Sequence, residues 1–194
     1  MSTAQQYEFV TVDDYLAGEL LSDIKYEYVD GRVYAMAGGT NIHSKISSRA
    51  LISLGQQLAG SPCEAFNSDT KIRIQRNQRN YFYYPDVSVV CESNPDDDTF
   101  QEQPVVVVEV VSESTRRIDE GEKRDNYLSL PSLSAYVLLE QNRPAARVYL
   151  RGEDGEFTET VFRDVTDVIP LAAIEAELRL ADIYAGIQFP ARES

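Results

Sequence analysis

The apolar positions of this chain change period several times, and each change marks a predicted element. TVDDYLAGEL opens with Thr11, a helix cap, and carries Asp14 three residues on, a capping-box-like start to a short helix. YEYVDGRVYAM is two alternating segments about Asp30-Gly31, and because both turn residues tolerate positive φ it predicts a hairpin. After Gly38-Gly39 the period becomes helical. Ile42, Ile46, Ala50, Leu51, Leu54 and Leu58 form one stripe, from a start at Thr40 or Asn41 to a stop at Gly60-Ser61-Pro62. Three strands are expected next: Glu64 to Gln75, ending at the turn-rich QRNQRN; Tyr81 to Cys91, before the acidic loop SNPDDDTFQEQ; and Val105 to Val111. TRRIDEGEKRDNYLSL then reads as a helix over Arg117 to Ser129, despite Gly121, and Pro131 stops it. SAYVLLE is a further buried strand. A hairpin around Glu153-Asp154-Gly155 and a short helix near Ala181 to Ala185 complete the chain.

Helix, three strands, helix, strand is an α/β core with a mixed sheet, within a single domain spanning residues 1–194. One position breaks the pattern. In PVVVVEVVSEST a glutamate, Glu109, interrupts six valines of a strand that otherwise reads as buried on both faces. A carboxylate there is costly unless it is paired or holds a metal. YYPDVSVV supplies a candidate partner, because alternation puts Asp86 and Ser88 on one face of their strand and Glu109 on the face of Val107 and Val111. If the two strands are neighbours in a suitable register, the acids converge. Two hard oxygen ligands that leave room for water and phosphate suit Mg²⁺, with Mn²⁺ as an alternative.

Charge and cysteines narrow the reading. The net charge of −14 makes non-specific contact with nucleic acid unfavourable, since affinity for phosphate comes largely from Lys and Arg. The charge is uneven, however. KIRIQRNQRNYFYYP carries Lys71, Arg73, Arg76 and Arg79 without an acid, and is the best candidate edge for phosphate. Arg116, beside Arg117, offers a second phosphate contact near a helix start, and His43, the single histidine, a third. Cys63 and Cys91 form no ligand-spaced cluster and are expected to be reduced, as in a cytoplasmic protein. No run reaches the ~20 apolar residues of a membrane span, and MSTAQQYEFV lacks the features of a signal peptide.

Pro85-Asp86 followed by Glu109-Val110-Val111 resembles the PD-(D/E)XK nuclease superfamily. The blocks YEYVDGRVYAMAGGTNIH, YYPDVSVV, VVVVEVVSEST and RRIDEGEKRDNYLSLPSLSAYVLLE together are similar to the Uma-type family of restriction-endonuclease-like proteins, over residues 10–188. The resemblance implies a restriction-endonuclease-like core, with a mixed central sheet flanked by helices and β-hairpin additions at both ends. It also implies a homodimer acting on DNA. The superfamily places lysine two residues after the glutamate, where this chain has Val111. In the Uma-type family that lysine moves to the next helix, and the matching residue is Lys123. Asp119, Lys123 and Tyr127, spaced four apart, share one helical face, which supports the transfer. Glu27 matches a family glutamate, as an added metal ligand or a support to the site.

Each residue also has a plainer role: Asp86 as a backbone cap, Glu109 in an ion pair with an arginine such as Arg73, Lys123 as a solvated helix lysine, Glu27 on a strand surface, and His43 and the basic stretch as ordinary structure. The leading expectation is a metal-dependent endonuclease in which Asp86 and Glu109 hold Mg²⁺, with the Val110 carbonyl as an added ligand, Lys123 assists the water and Glu27 supports them. Two alternatives remain. One is an inactive nuclease-fold protein that binds nucleic acid or a protein partner; the other is a hydrolase of a smaller phosphate ester.

Overall fold

The computed structural model describes residues 9–36 and 38–189. Residues 1–8, which hold most of the segment read above for a signal peptide, lie outside them. Among the described residues no helix is long and apolar enough to cross a membrane.

The chain begins with α1 (Val12–Glu19), where the Thr11 hydroxyl accepts the Asp14 N–H at 3.1 Å. The hairpin of β1 (Tyr26–Val29) and β2 (Arg32–Ala35) turns at Asp30 and Gly31, both at positive φ. Helix α2 (Asn41–Gln57) starts at the cap Thr40. The two long strands expected after it are each broken. Glu64 to Gln75 becomes β3 (Glu64–Asn67) and β4 (Lys71–Arg76), because Asn67 Oδ1 accepts the Asp69 N–H at 3.0 Å and folds the chain into a turn. Tyr81 to Cys91 becomes β5 (Arg79–Tyr83) and β6 (Val87–Val90), parted at Pro85, which has no N–H to give a ladder. The breaks send the pieces to different sheets.

The remaining elements are β7 (Phe100–Gln101), β8 (Pro104–Val111), a helical segment, β9 (Ala135–Glu140), β10 (Ala146–Arg151), β11 (Phe157–Phe162), a small hairpin of β12 (Val168–Leu171) and β13 (Ala176–Arg179), and a final short helix at Leu180–Ile183. The central sheet has the order β11-β10-β9-β8-β6-β3 and is mixed, with β8 and β9 parallel and its other pairs antiparallel. A second sheet, β2-β1-β5-β4-β7, joins the N-terminal hairpin to the basic stretch.

Alternation along β8 separates two cores. Val106, Val108 and Val110 face α2 (Ile46, Ala50, Leu54) and the C-terminal elements. Val107 and Val111 face the second sheet through Ile72, Ile74, Tyr81 and Tyr83. The expected flanking by helices therefore holds on one face, while a sheet and a short helical segment cover the other. Cys63 and Cys91 are joined as a disulfide, with Cα atoms 3.8 Å apart, and are not the two reduced thiols expected. The cause is the pairing of Glu64 with Val90, which carries the two flanking residues face to face.

Candidate active site

The break at Pro85 sets the first carboxylate at the start of β6. Val87 lies opposite Val108, so one further step brings Asp86 opposite Glu109, both on the face that meets the second sheet. One Asp86 oxygen, Oδ2, accepts the Val110 N–H at 2.7 Å and lies 3.2 Å from His43 Nε2. His43 reaches it from the first turn of α2. The preceding Gly39 passes so close that a Cβ there would fall 2.9 Å from His43 Nδ1, which only glycine avoids. The hydrogen bond to Asp86 raises the histidine pKa above its ordinary value, against the effect of burial.

Glu109 is 5% exposed, and its Oε1 meets Lys123 Nζ at 3.2 Å. Lys123 sits at the end of a π-helical turn, Asp119–Lys123, between the short helices α3 (Arg116–Ile118) and α4 (Arg124–Tyr127). The turn interrupts the regular helix expected over 117–129. π turns recur at functional sites because the wider turn redirects side chains. Here both Asp119 and Lys123 are buried. The Lys123 ammonium also lies 2.7 Å from Glu27 Oε1 and 3.8 Å from Asp119 Oδ1, and 5.5 Å from the centre of the Tyr83 ring. Glu27 comes from β1, and the same oxygen accepts the Tyr84 N–H at 3.3 Å. The Tyr83 hydroxyl accepts from Asn126 at 2.8 Å and donates to Glu122 at 3.0 Å, which fixes the ring under the amine.

Burial pushes the Glu109 carboxyl well above the usual carboxylate range; Lys123 opposes the shift, while Asp119, Asp86 and Glu27 add to it. Asp119 is raised too, again mainly by burial. For Lys123 burial works against the charge, but Glu109, Glu27 and Asp119 outweigh it and the pKa is raised. Four carboxylates thus face one ammonium and one imidazole. The excess negative charge suits a divalent cation. Among the described residues no three His, Cys, Asp or Glu side chains are arranged to hold an ion by themselves. The donor set of Asp86 and Glu109 fits an ion completed by water and phosphate, which is how Mg²⁺ is commonly bound.

Asp86, Glu109, Asp119, Lys123 and His43 line a cleft of about 790 Å³, together with Thr40, Ser44, Ser47, Ser112, Ser114 and Thr115. Residues 12–182 match the Uma2 family, described as "Putative restriction endonuclease".

The chain belongs to the Uma2 family.

Two Synechocystis sp. relatives are uncharacterized proteins. One, slr1290, is 35% identical over 189 residues, covering 97% of this chain and 98% of its own; the other, sll1609, is 27% identical over 137 residues, covering 69% and 76%. The fold is similar to a crystal structure titled as "a putative nuclease belonging to DUF820" from Anabaena variabilis. Its TM-score is 0.71 at 16% identity, covering 90% of this chain and 97% of that one. This Uma2 chain therefore has a restriction-endonuclease-like nuclease fold.

The residues expected to touch nucleic acid are scattered within the Uma2 fold. Lys71 is 3% exposed, facing Glu19 at 3.4 Å and the Tyr84 hydroxyl at 3.2 Å, so it is turned away from any phosphate. Arg73 lies over the Phe82 and Phe100 rings and pairs with Glu102 at 3.4 Å, not with Glu109. Arg116 grips Glu140 through two nitrogens, at 3.0 and 2.6 Å, and also pairs with Glu120. Arg76 donates to the Asp125 carbonyl and the Asn126 side chain, and Arg79 pairs with Asp30; both lie at the exposed turn of β4 and β5. His43 belongs to the acidic cleft. The pattern along the chain put Asp119 on the Lys123 face but gave it no role, and its burial is the signal that separates it from a surface acid.

Proposed function

We propose that this protein is a metal-dependent endonuclease that hydrolyses phosphodiester bonds in DNA, acting as a homodimer with one site per chain. The observation that carries the reading is the placement of Asp86 and Glu109 opposite each other on neighbouring strands, with the Lys123 ammonium 3.2 Å from Glu109. Asp86, Glu109 and the Val110 carbonyl would hold Mg²⁺ or Mn²⁺. The bound ion would lower the pKa of a water and neutralise charge on the phosphate. The Val110 N–H and His43 both hold one Asp86 oxygen, Oδ2, in place. The ammonium neighbour opposes the effect of burial on Glu109, and Lys123 would orient a water or stabilise the charge of the transition state. Glu27 holds that amine from the opposite side.

Supercoiled plasmid incubated at low salt with Mg²⁺ or Mn²⁺ tests the reading. The wild type is expected to nick and linearise it, and Asp86→Ala to lose at least about 10²-fold in rate, the scale of removing one main electrostatic element from an active site. Equal cleavage by the two proteins would overturn the assignment. One observation favours a second reading, that of an inactive nuclease-fold binder. Lys71, Arg73 and Arg116 are each paired with an acid of the protein itself, on a chain of net charge −14. Cation binding without cleavage of any nucleic acid would support it.

A further inference from the structure

We propose that Asp119 is a positioning residue for Lys123, the third carboxylate of a cage that fixes where the ammonium stands beside Glu109. The inference rests on the nuclease reading for its consequence, but on geometry for its substance. Asp119 opens the π turn that Lys123 ends, is 3% exposed, and lines the cleft. Its backbone is pinned at both ends: the N–H donates to the Thr115 carbonyl at 3.0 Å, and the carbonyl accepts the Tyr136 hydroxyl at 3.1 Å. The carboxylate therefore has a fixed origin, and it stands 3.8 Å from Lys123 Nζ.

An ammonium has three protons to donate. Glu27 at 2.7 Å and Glu109 at 3.2 Å attract it toward the strands, while Asp119 attracts it back toward its own turn. Without that third attraction the amine is held from the strand side alone, by Glu27 and Glu109. Asp119 thus helps to fix one charged group at the place where it would act on a water.

Asp119→Asn tests this, since the amide keeps the size of the side chain and removes its charge. Expected is a fall in kcat of about 10–100-fold, the range seen when a residue supporting a metal site is changed. Mn²⁺ affinity by calorimetry should weaken by less than kcat falls, since one neighbouring charge and no ligand is lost, and the folded circular dichroism spectrum should be retained. A second readout needs no activity. In metal-free protein at low temperature the Lys123 ammonium should give a resolved proton–nitrogen cross-peak, absent from Lys123→Met and broadened away in Asp119→Asn. A large loss of Mn²⁺ affinity would make Asp119 a ligand and overturn the proposal; so would a variant with unaltered kcat and an intact cross-peak. Should the wild type cleave nothing, the nuclease reading fails alone and the cross-peak still decides the role of Asp119.

Discussion

Replacing Lys123 by methionine removes one charge from the centre of the site and leaves three carboxylates facing one another. The side chains of Glu109 and Asp119 are 6% and 4% exposed, so water cannot take over the role of the ammonium. Removing one partner of a buried ion pair costs about 3–5 kcal/mol, because the other charge stays buried. For a domain of this length each kcal/mol moves Tm by roughly 2–4 °C, so the melting point should fall by about 6–20 °C at pH 8. The sign of the pH effect follows from Glu109 and Asp119. Burial already raises both above their unfolded values, and loss of Lys123 raises them further. A carboxylate raised in the folded state binds protons that the unfolded chain releases, so its contribution is full below the unfolded pKa and is lost as pH rises through the folded value. The deficit of the variant should accordingly be larger at pH 8 than at pH 5. Urea titrations of both proteins at the two pH values measure it. Mg²⁺ should restore part of the loss at pH 8, by about 2.7 kcal/mol at a hundred times its Kd. A variant as stable as the wild type at pH 8, or a deficit that does not change with pH, would refute the reasoning.

The disulfide closes a loop of 28 residues, which places its stabilisation at about 3–4 kcal/mol in the chain-entropy account. Cys91→Ser should melt well below the wild type, and thiol titration of the untreated protein should find no free thiol; two free thiols would remove the basis of the claim. Lys71→Met should destabilise the protein without altering the salt dependence of DNA binding, because Lys71 is buried against Glu19 and Tyr84. Arg79→Ala should do the reverse, lowering the salt slope by about one phosphate contact while leaving the melting point nearly unchanged. Identical slopes for wild type and Arg79→Ala would exclude that turn from the interface.

The local signals were legible wherever one residue decides one element. Thr40 starts α2, Asp30-Gly31 turns the first hairpin, and the valines of β8 divide between two cores as their alternation requires. Glu109 stood out because a carboxylate in such a strand needs a reason, and the register of β6 on β8 supplies Asp86 opposite it. What could not be read was any property that depends on which pieces become neighbours. The apolar pattern on either side of Pro85 is continuous, so nothing local shows that the chain changes sheets there. Cys63 and Cys91 meet through the pairing of β3 with β6. The basic stretch looks free in one dimension, yet β4 turns Lys71 and Arg73 toward α1 and β7, where acids and rings receive them. The π turn left no trace in a sequence whose spacing fits an ordinary helix equally well.

The acids that surround Lys123 do not share one support. Glu109 belongs to the central sheet, Glu27 to the second sheet, and the amine between them comes from a third body, the turn ending at Lys123. The distances around that nitrogen are therefore set by how the two layers dock, through Ile72, Ile74 and Tyr81 against Val107 and Tyr136. A substitution in this tyrosine-rich seam, remote from any charged group, would shift the layers and be felt first as a misplaced amine. The geometry around the amine thus depends on a stretch of interior packing that carries no chemistry of its own.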